Sequence, residues 1–132
     1  MPTFKRKKFV QLAEFCIKKQ RKHEHIDTYL CSFDLSDNSR YALNLQNIVH
    51  HGYKKSCLIH AESRLAKNHS VKKLLVVRTR RHTPELLMAM PCVLCQTFLK
   101  NKKIEEVVYS IDEKTYGIYY PQKNKFKTKT FK

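Results

Sequence analysis

Ile104-Glu105-Glu106-Val107-Val108-Tyr109-Ser110, then Ile111 to Thr115, then Tyr116-Gly117-Ile118-Tyr119-Tyr120, is the stretch that decides the fold. Ile104 to Ser110 reads as a strand, Asp112-Glu113-Lys114 as a tight turn, and Tyr116 to Tyr120 as a last strand stopped by Pro121. Only five residues separate Ser110 from Tyr116. A parallel crossover needs roughly a dozen or more. The last two strands are therefore expected to be antiparallel.

Working outward, Lys73 to Thr79 contains Leu74-Leu75-Val76-Val77, a strand with no polar side, as burial on both faces requires. Thr28 to Leu35 and Arg40 to Asn47 read as two more strands, joined in a hairpin through Asp37-Asn38-Ser39. Three helices complete the set. Phe9, Leu12, Ala13, Cys16 and Ile17 form one apolar stripe, so a helix is predicted from Lys7 to Lys22, with its lysines outward. A second is predicted from about His60 to Asn68, and a third from Pro91 to about Lys100. Thr83-Pro84-Glu85 has the pattern of a helix start, with Leu86 to Met90 as one short turn. The tail from Gln122 to Lys132 alternates lysine with neutral residues and is read as a flexible extension. The expected order is αββαβαββ: an α/β fold with one layer of helices on a mixed five-stranded sheet. It forms a single domain over 1–132, its core spanning about 9–120 and its basic tail 121–132.

The 132 residues suit one core. No apolar run approaches the ~18 residues that span a bilayer, and no apolar segment follows Lys5-Arg6-Lys7-Lys8 to make a secretory signal. No membrane association is expected. With two glycines, no Gly-rich phosphate loop is possible. Five cysteines, two of them in Cys92-x-x-Cys95, fit a reducing, cytoplasmic setting and a metal site better than a disulfide framework. The net charge is +16, and it is concentrated at the ends. Residues 1–22 hold eight Lys/Arg against one Glu, and 121–132 hold five Lys and no acid. Such ends either attract a polyanion or serve as solvated tails. Whether they meet in space is beyond the reach of sequence.

His60-Ala61-Glu62 followed by Pro91-Cys92-Val93-Leu94-Cys95 resembles the H-x-E … P-C-x-x-C signature of the zinc-dependent nucleobase deaminases, the cytidine deaminase superfamily. The resemblance implies a three-layer-type cytidine deaminase-like fold. It also implies one zinc ion per chain, held by His60, Cys92 and Cys95, with the fourth tetrahedral position open. Glu62 would then shuttle protons to the ring and to the leaving amine. Leu43-Asn44-Leu45-Gln46-Asn47 is similar to the F-N-V-E-N stretch of cytidine deaminases proper, with Gln46 in the place of Glu. By that likeness Asn44, Gln46, Asn47 and Ala61 are the substrate-binding positions. Losing the carboxylate at 46 suits a substrate that carries phosphate. Pro91 to Gln96 departs from the family's P-C-G-x-C-R-Q at Val93 and lacks its Arg. The antiparallel last pair suits cytidine deaminases and toxin deaminases.

A rival reading takes Cys57-x-x-His60 with Cys92-x-x-Cys95 as a closed, structural Cys₃His zinc site and leaves Glu62 and Pro91 without a role. His50, His51 and Tyr53 on a polar loop, and Arg78, Arg80 and Arg81 at the end of a strand, are candidate phosphate or nucleic-acid contacts; the alternatives are a solvated loop and a solvated strand end. Cys16, Cys31, Met88 and Met90 read as packing residues. The expected function is zinc-dependent hydrolytic deamination of cytosine in cytidine, deoxycytidine or their phosphates. Two alternatives stand beside it: an editor of cytosine in single-stranded DNA or RNA, and a non-catalytic zinc module that binds nucleic acid. The resemblance adds a homo-oligomer, a dimer or tetramer.

Overall fold

The computed structural model describes residues 3–20, 28–43, 61–68 and 70–132, with the backbone alone at 38, 62–64 and 68. Its elements in chain order are α1 (Arg6–Gln20), β1 (Thr28–Asp34), β2 (Asp37–Leu43), α2 (Ala61–Asn68), β3 (Lys73–Arg80), β4 (Leu86–Leu87), α3 (Val93–Asn101), β5 (Glu106–Ser110), β6 (Thr115–Tyr120) and β7 (Lys125–Thr130). They build a mixed α/β structure on one sheet of order β2-β1-β3-β5-β6-β7, with β4 beside β3.

The run Leu74-Leu75-Val76-Val77 explains the layering. Successive side chains of a strand point to opposite faces, and all four are fully buried. Leu74 and Val76 join a core with Leu65, Leu99 and Tyr109. Leu75 and Val77 join a second core with Phe9, Ala13 and Tyr116. The sheet is therefore covered on both sides, by α2 and α3 on one face and by α1 on the other. This corrects the single helical layer expected from element order. Topology gives the reason. β2 and β3 are both antiparallel to β1, hence parallel to each other, and β3 is parallel to β5. Both crossovers step the same way across the sheet, so connections of one hand put α2 and α3 on one face. Helix α1 precedes the first strand and is free to cover the other.

Seven strands replace the expected five, through two corrections. Thr83 does not cap a helix: its carbonyl accepts the Thr79 hydroxyl at 3.1 Å and the Glu85 N–H at 2.7 Å. The chain stays extended, and Leu86 and Leu87 pair with Thr79 and Arg78 along the part of β3 that β5 does not reach. Leu86 enters the α1-side core. Tertiary pairing of an exposed strand edge outweighs a local helix signal here.

The second correction is the tail. It is no flexible extension: after a turn at 121–124, with Asn124 left-handed at φ 50°, it returns as β7. β7 pairs with β6 over its whole length, Tyr120 opposite Lys125 and Thr115 opposite Thr130. Phe131 then packs on Phe9 and Tyr116, with ring centroids 5.0 and 5.2 Å apart. The lysines fit because β7 is an edge strand, where charged residues are tolerated and guard against further pairing.

Smaller differences have local causes. The β1–β2 hairpin turns at Leu35-Ser36 rather than at 37–39, because the Asp34 carboxylate accepts both the N–H and the hydroxyl of Ser36. Leu12 and Ile17 pack at the margin of the α1 stripe, while Gln20 extends it and donates to the Leu30 carbonyl at 3.3 Å. The β5–β6 pair is antiparallel, with Tyr109 opposite Gly117. A side chain at 117 would run into the Tyr109 ring, so glycine is needed for space.

Candidate metal centre

Cys92 is the N-cap of α3, with extended backbone (φ −68°, ψ 167°). The helix starts at Val93, so Pro91 stands just outside it rather than beginning it. A proline here fixes the approach and removes no needed donor. The Cys92 Sγ accepts the Cys95 N–H at 3.4 Å, and the Cys92 carbonyl accepts the Gln96 N–H at 2.8 Å. The Gln96 side chain reaches back to the Pro91 carbonyl at 2.8 Å. Cys92 and Cys95 are thus held on one helical turn by three hydrogen bonds. Cys92 is exposed and Cys95 is buried.

Helix α2 begins at Ala61, next in sequence to His60, and Glu62 is its second residue. The Ala61 carbonyl accepts the Ser32 hydroxyl at 2.6 Å, and its methyl is buried in the same core as Leu99 of α3. Ser32 lies opposite Val76 of β3. At the C-terminal end of β3, the Ser110 hydroxyl accepts the Arg78 N–H at 3.1 Å and donates to the Leu87 carbonyl at 2.7 Å. The Ser110 carbonyl accepts the Ala89 N–H at 2.9 Å. Ala89 lies three residues before Cys92. The heads of α2 and α3 therefore stand on one face of the sheet, over the C-terminal halves of β3 and β5, the edge where open α/β sheets place their sites.

Arg78 comes to the same edge, but as a brace: its Nε donates to the Met88 carbonyl and its Nη1 to the Thr28 hydroxyl, both at 3.1 Å. Arg80 is paired with Glu85 at 3.0 Å. Arg81 donates to the His82 ring at 3.0 Å. Arg80, Arg81, His82 and Thr83 line an open pocket of about 240 Å³. His60, Cys57, Asn44, Gln46, Asn47, His50, His51 and Tyr53 lie outside the described residues. Among the described residues, no three His, Cys, Asp or Glu side chains form a group that could hold a metal ion. By donor chemistry Cys92 and Cys95 fit zinc: two sulfur ligands at a spacing common in zinc sites, on a rigid helix head.

Sequence reasoning missed Ser110, Ser32 and Gln96, the polar groups that anchor the two helix heads. The signal for Ser110 was present: a hydroxyl closing the apolar run Val107-Val108-Tyr109, on a strand buried at every position. Of the four residues read as packing residues, Cys16 and Cys31 are buried in the α1-side core, whereas Met88 and Met90 are exposed, on the extended segment that leads from β4 to α3. Desolvation, reinforced by Cys16, holds the Cys31 thiol well above its ordinary value. In comparisons with known proteins, the chain matches no family model, no curated protein and no solved structure.

Proposed function

We propose that the chain is a zinc-dependent hydrolytic deaminase that converts cytosine to uracil in cytidine, deoxycytidine or their phosphates, releasing ammonia. The observation that carries the reading is the placement of Pro91-Cys92-x-x-Cys95 at the head of α3, on the face and edge where α2 begins directly after His60. His60, Cys92 and Cys95 would hold the zinc. The ion supplies, when bound, the Lewis acidity that makes water a nucleophile at neutral pH. Glu62 would take one proton from the attacking water and give it to the ring nitrogen, then take the remaining hydroxyl proton and give it to the departing amine as the ring carbonyl forms. The open centre gives Glu62 and Pro91 a role, which the closed site completed by Cys57 does not. Asn44, Gln46 and Asn47 are assigned to the sugar and its substituent, and a dimer or tetramer in a reducing compartment goes with this reading. No described helix is long and apolar enough to cross a membrane.

The test is mass spectrometry of zinc-loaded protein incubated with cytidine, deoxycytidine, their monophosphates and a cytosine-bearing single-stranded oligonucleotide. Glu62→Ala serves as the blank. Conversion of the free compounds, abolished by Glu62→Ala, is the expected result. Conversion of the oligonucleotide alone would move the assignment to a polynucleotide editor. Full zinc binding with no conversion, lost on Cys57→Ala, would replace the enzyme with a structural zinc module.

A further inference from the structure

The structure joins the two basic ends of the chain. Phe131, at the end of β7, packs edge-on against Phe9 of α1, and the Lys132 N–H donates to the Phe4 carbonyl at 3.1 Å. Phe4 lies against Phe9 and Tyr116, and its N–H donates to the Tyr116 hydroxyl at 3.3 Å. The aromatic knot brings Lys5, next in sequence to Phe4, to the end of the chain at Lys132. From it β7 runs along the free edge of the sheet as Lys125-Phe126-Lys127-Thr128-Lys129-Thr130. Alternate residues of a strand share a face, so Lys125, Lys127 and Lys129 form a ladder at intervals of about 6.7 Å. Phe126 stands on the other face, stacked on Tyr119 with centroids 4.5 Å apart and planes 17° apart. Its outer side is open, 40% exposed.

Nearby acids offset this charge only in part. Glu113 is held by Arg6 at 2.6 Å, and the Asp112 carboxylate by the N–H groups of Lys114 and Thr115. Glu105 and Glu106 lie at the Lys125 end of the ladder, level with Tyr120 and two strands in from β7, where Lys73 and Lys123 stand beside them. Edge lysines alone are explained as protection against strand pairing. That purpose asks neither for an open aromatic beside them nor for the basic N-terminal helix to converge on the same corner.

We propose that the β7 edge is a binding surface for single-stranded nucleic acid, with phosphates on Lys125, Lys127 and Lys129 and a base stacked on the open side of Phe126. A flexible single strand can run along this narrow edge with its phosphates on the ladder and a base turned over the edge onto the ring of the opposite face; a duplex keeps its bases stacked inside and offers Phe126 nothing. The surface lies on the sheet edge two strands beyond β5, apart from the heads of α2 and α3. It does not rest on the deaminase reading, and binding is measured without zinc or turnover, so either idea fails separately.

The experiment is fluorescence anisotropy of labelled oligothymidylate with the full chain, across a salt series. A duplex of equal length and phosphatidylserine vesicles serve as competitors. Single strands should bind most tightly. The triple variant Lys125→Gln/Lys127→Gln/Lys129→Gln should reduce the slope of log K against log salt by about 2. Phe126→Leu should weaken binding by about fivefold or more, the low end of what one stacked base contributes. Arg40→Gln, on β2 at the opposite edge of the sheet, should leave binding unchanged. A slope unaltered in the triple variant overturns the proposal. So does tighter binding of duplex or vesicles, or full affinity in Phe126→Leu.

Discussion

The two faces of the sheet are closed by different means. On the α1 face the contacts are aromatic and apolar: Phe9 meets Phe4, Tyr116 and Phe131, and Phe15 meets Phe33 and Tyr41. These residues come from both ends of the chain and from the middle, so this face fastens the fold. On the other face the apolar core under α2 and α3 is equally dry, but its C-terminal edge is tied by hydroxyls. Ser32 holds the head of α2, and Ser110 holds the segment that leads to Cys92. Apolar contacts are non-directional and tolerate small shifts. Hydrogen bonds fix direction as well as distance. The difference teaches that one face supplies stability and the other supplies position, as the proposed metal centre would require of its supporting shell.

Phe9→Ala should break the comparison most forcefully. Phe9 is fully buried at the centre of the aromatic knot, and large-to-small changes at such sites cost about 3–5 kcal/mol. Urea unfolding should show that loss, while zinc affinity of the folded fraction stays at the parent value. A fall in zinc affinity together with stability would mean that the two faces are not separable.

Ser110→Ala should do the reverse. It removes the hydroxyl that donates to the Leu87 carbonyl and accepts from the Arg78 N–H, two part-buried bonds, which costs about 1 kcal/mol. The larger consequence should fall on the centre, since Ser110 orients the approach to Cys92. Loss of such supporting bonds lowers metal affinity by about tenfold, readable by competition with a chromophoric chelator. Rescue by Ser110→Thr, which keeps the hydroxyl, would show that the bond rather than the volume matters. Unaltered zinc affinity in Ser110→Ala would reduce the serine to a packing role.

How much of this was legible in sequence depended on what held each element. β3 was readable because four consecutive apolar residues admit no other placement in a sheet. The antiparallel β5–β6 pair was readable because five linking residues forbid a crossover. β4 was not, since Thr83-Pro84-Glu85 carries a local helix signal and only the vacant edge of β3 turns it into a strand. β7 was not, because alternating lysines mimic a solvated tail unless the edge beside Tyr116 and Tyr119 is known to be free. At the candidate site, Cys92 and Cys95 were identified by their spacing and Pro91. Ser110 and Ser32 were not, because a buried hydroxyl declares its role only through partners distant in sequence.

The smallest expected effect is a pH dependence on the α1 face. A cysteine thiol titrates near 9 in its ordinary state. In the fold, burial beside Cys16 holds the Cys31 thiol well above that value. Above about pH 9 the unfolded chain has given up this proton and the folded chain still binds it. Stability from this group is therefore fully present below pH 9 and declines as pH rises toward the raised folded value. Burial also raises the hydroxyls of Tyr109, Tyr119 and Tyr120, which adds a decline of the same sign at higher pH. Cys31→Ala should be less stable at neutral pH, having lost buried volume. Its loss of stability above pH 9 should be shallower than the parent's. Urea midpoints taken at steps across the alkaline range would show this as curves that approach each other. Curves that run parallel would mean that Cys31 is hydrated, and that the α1 face is more open than its aromatic packing implies.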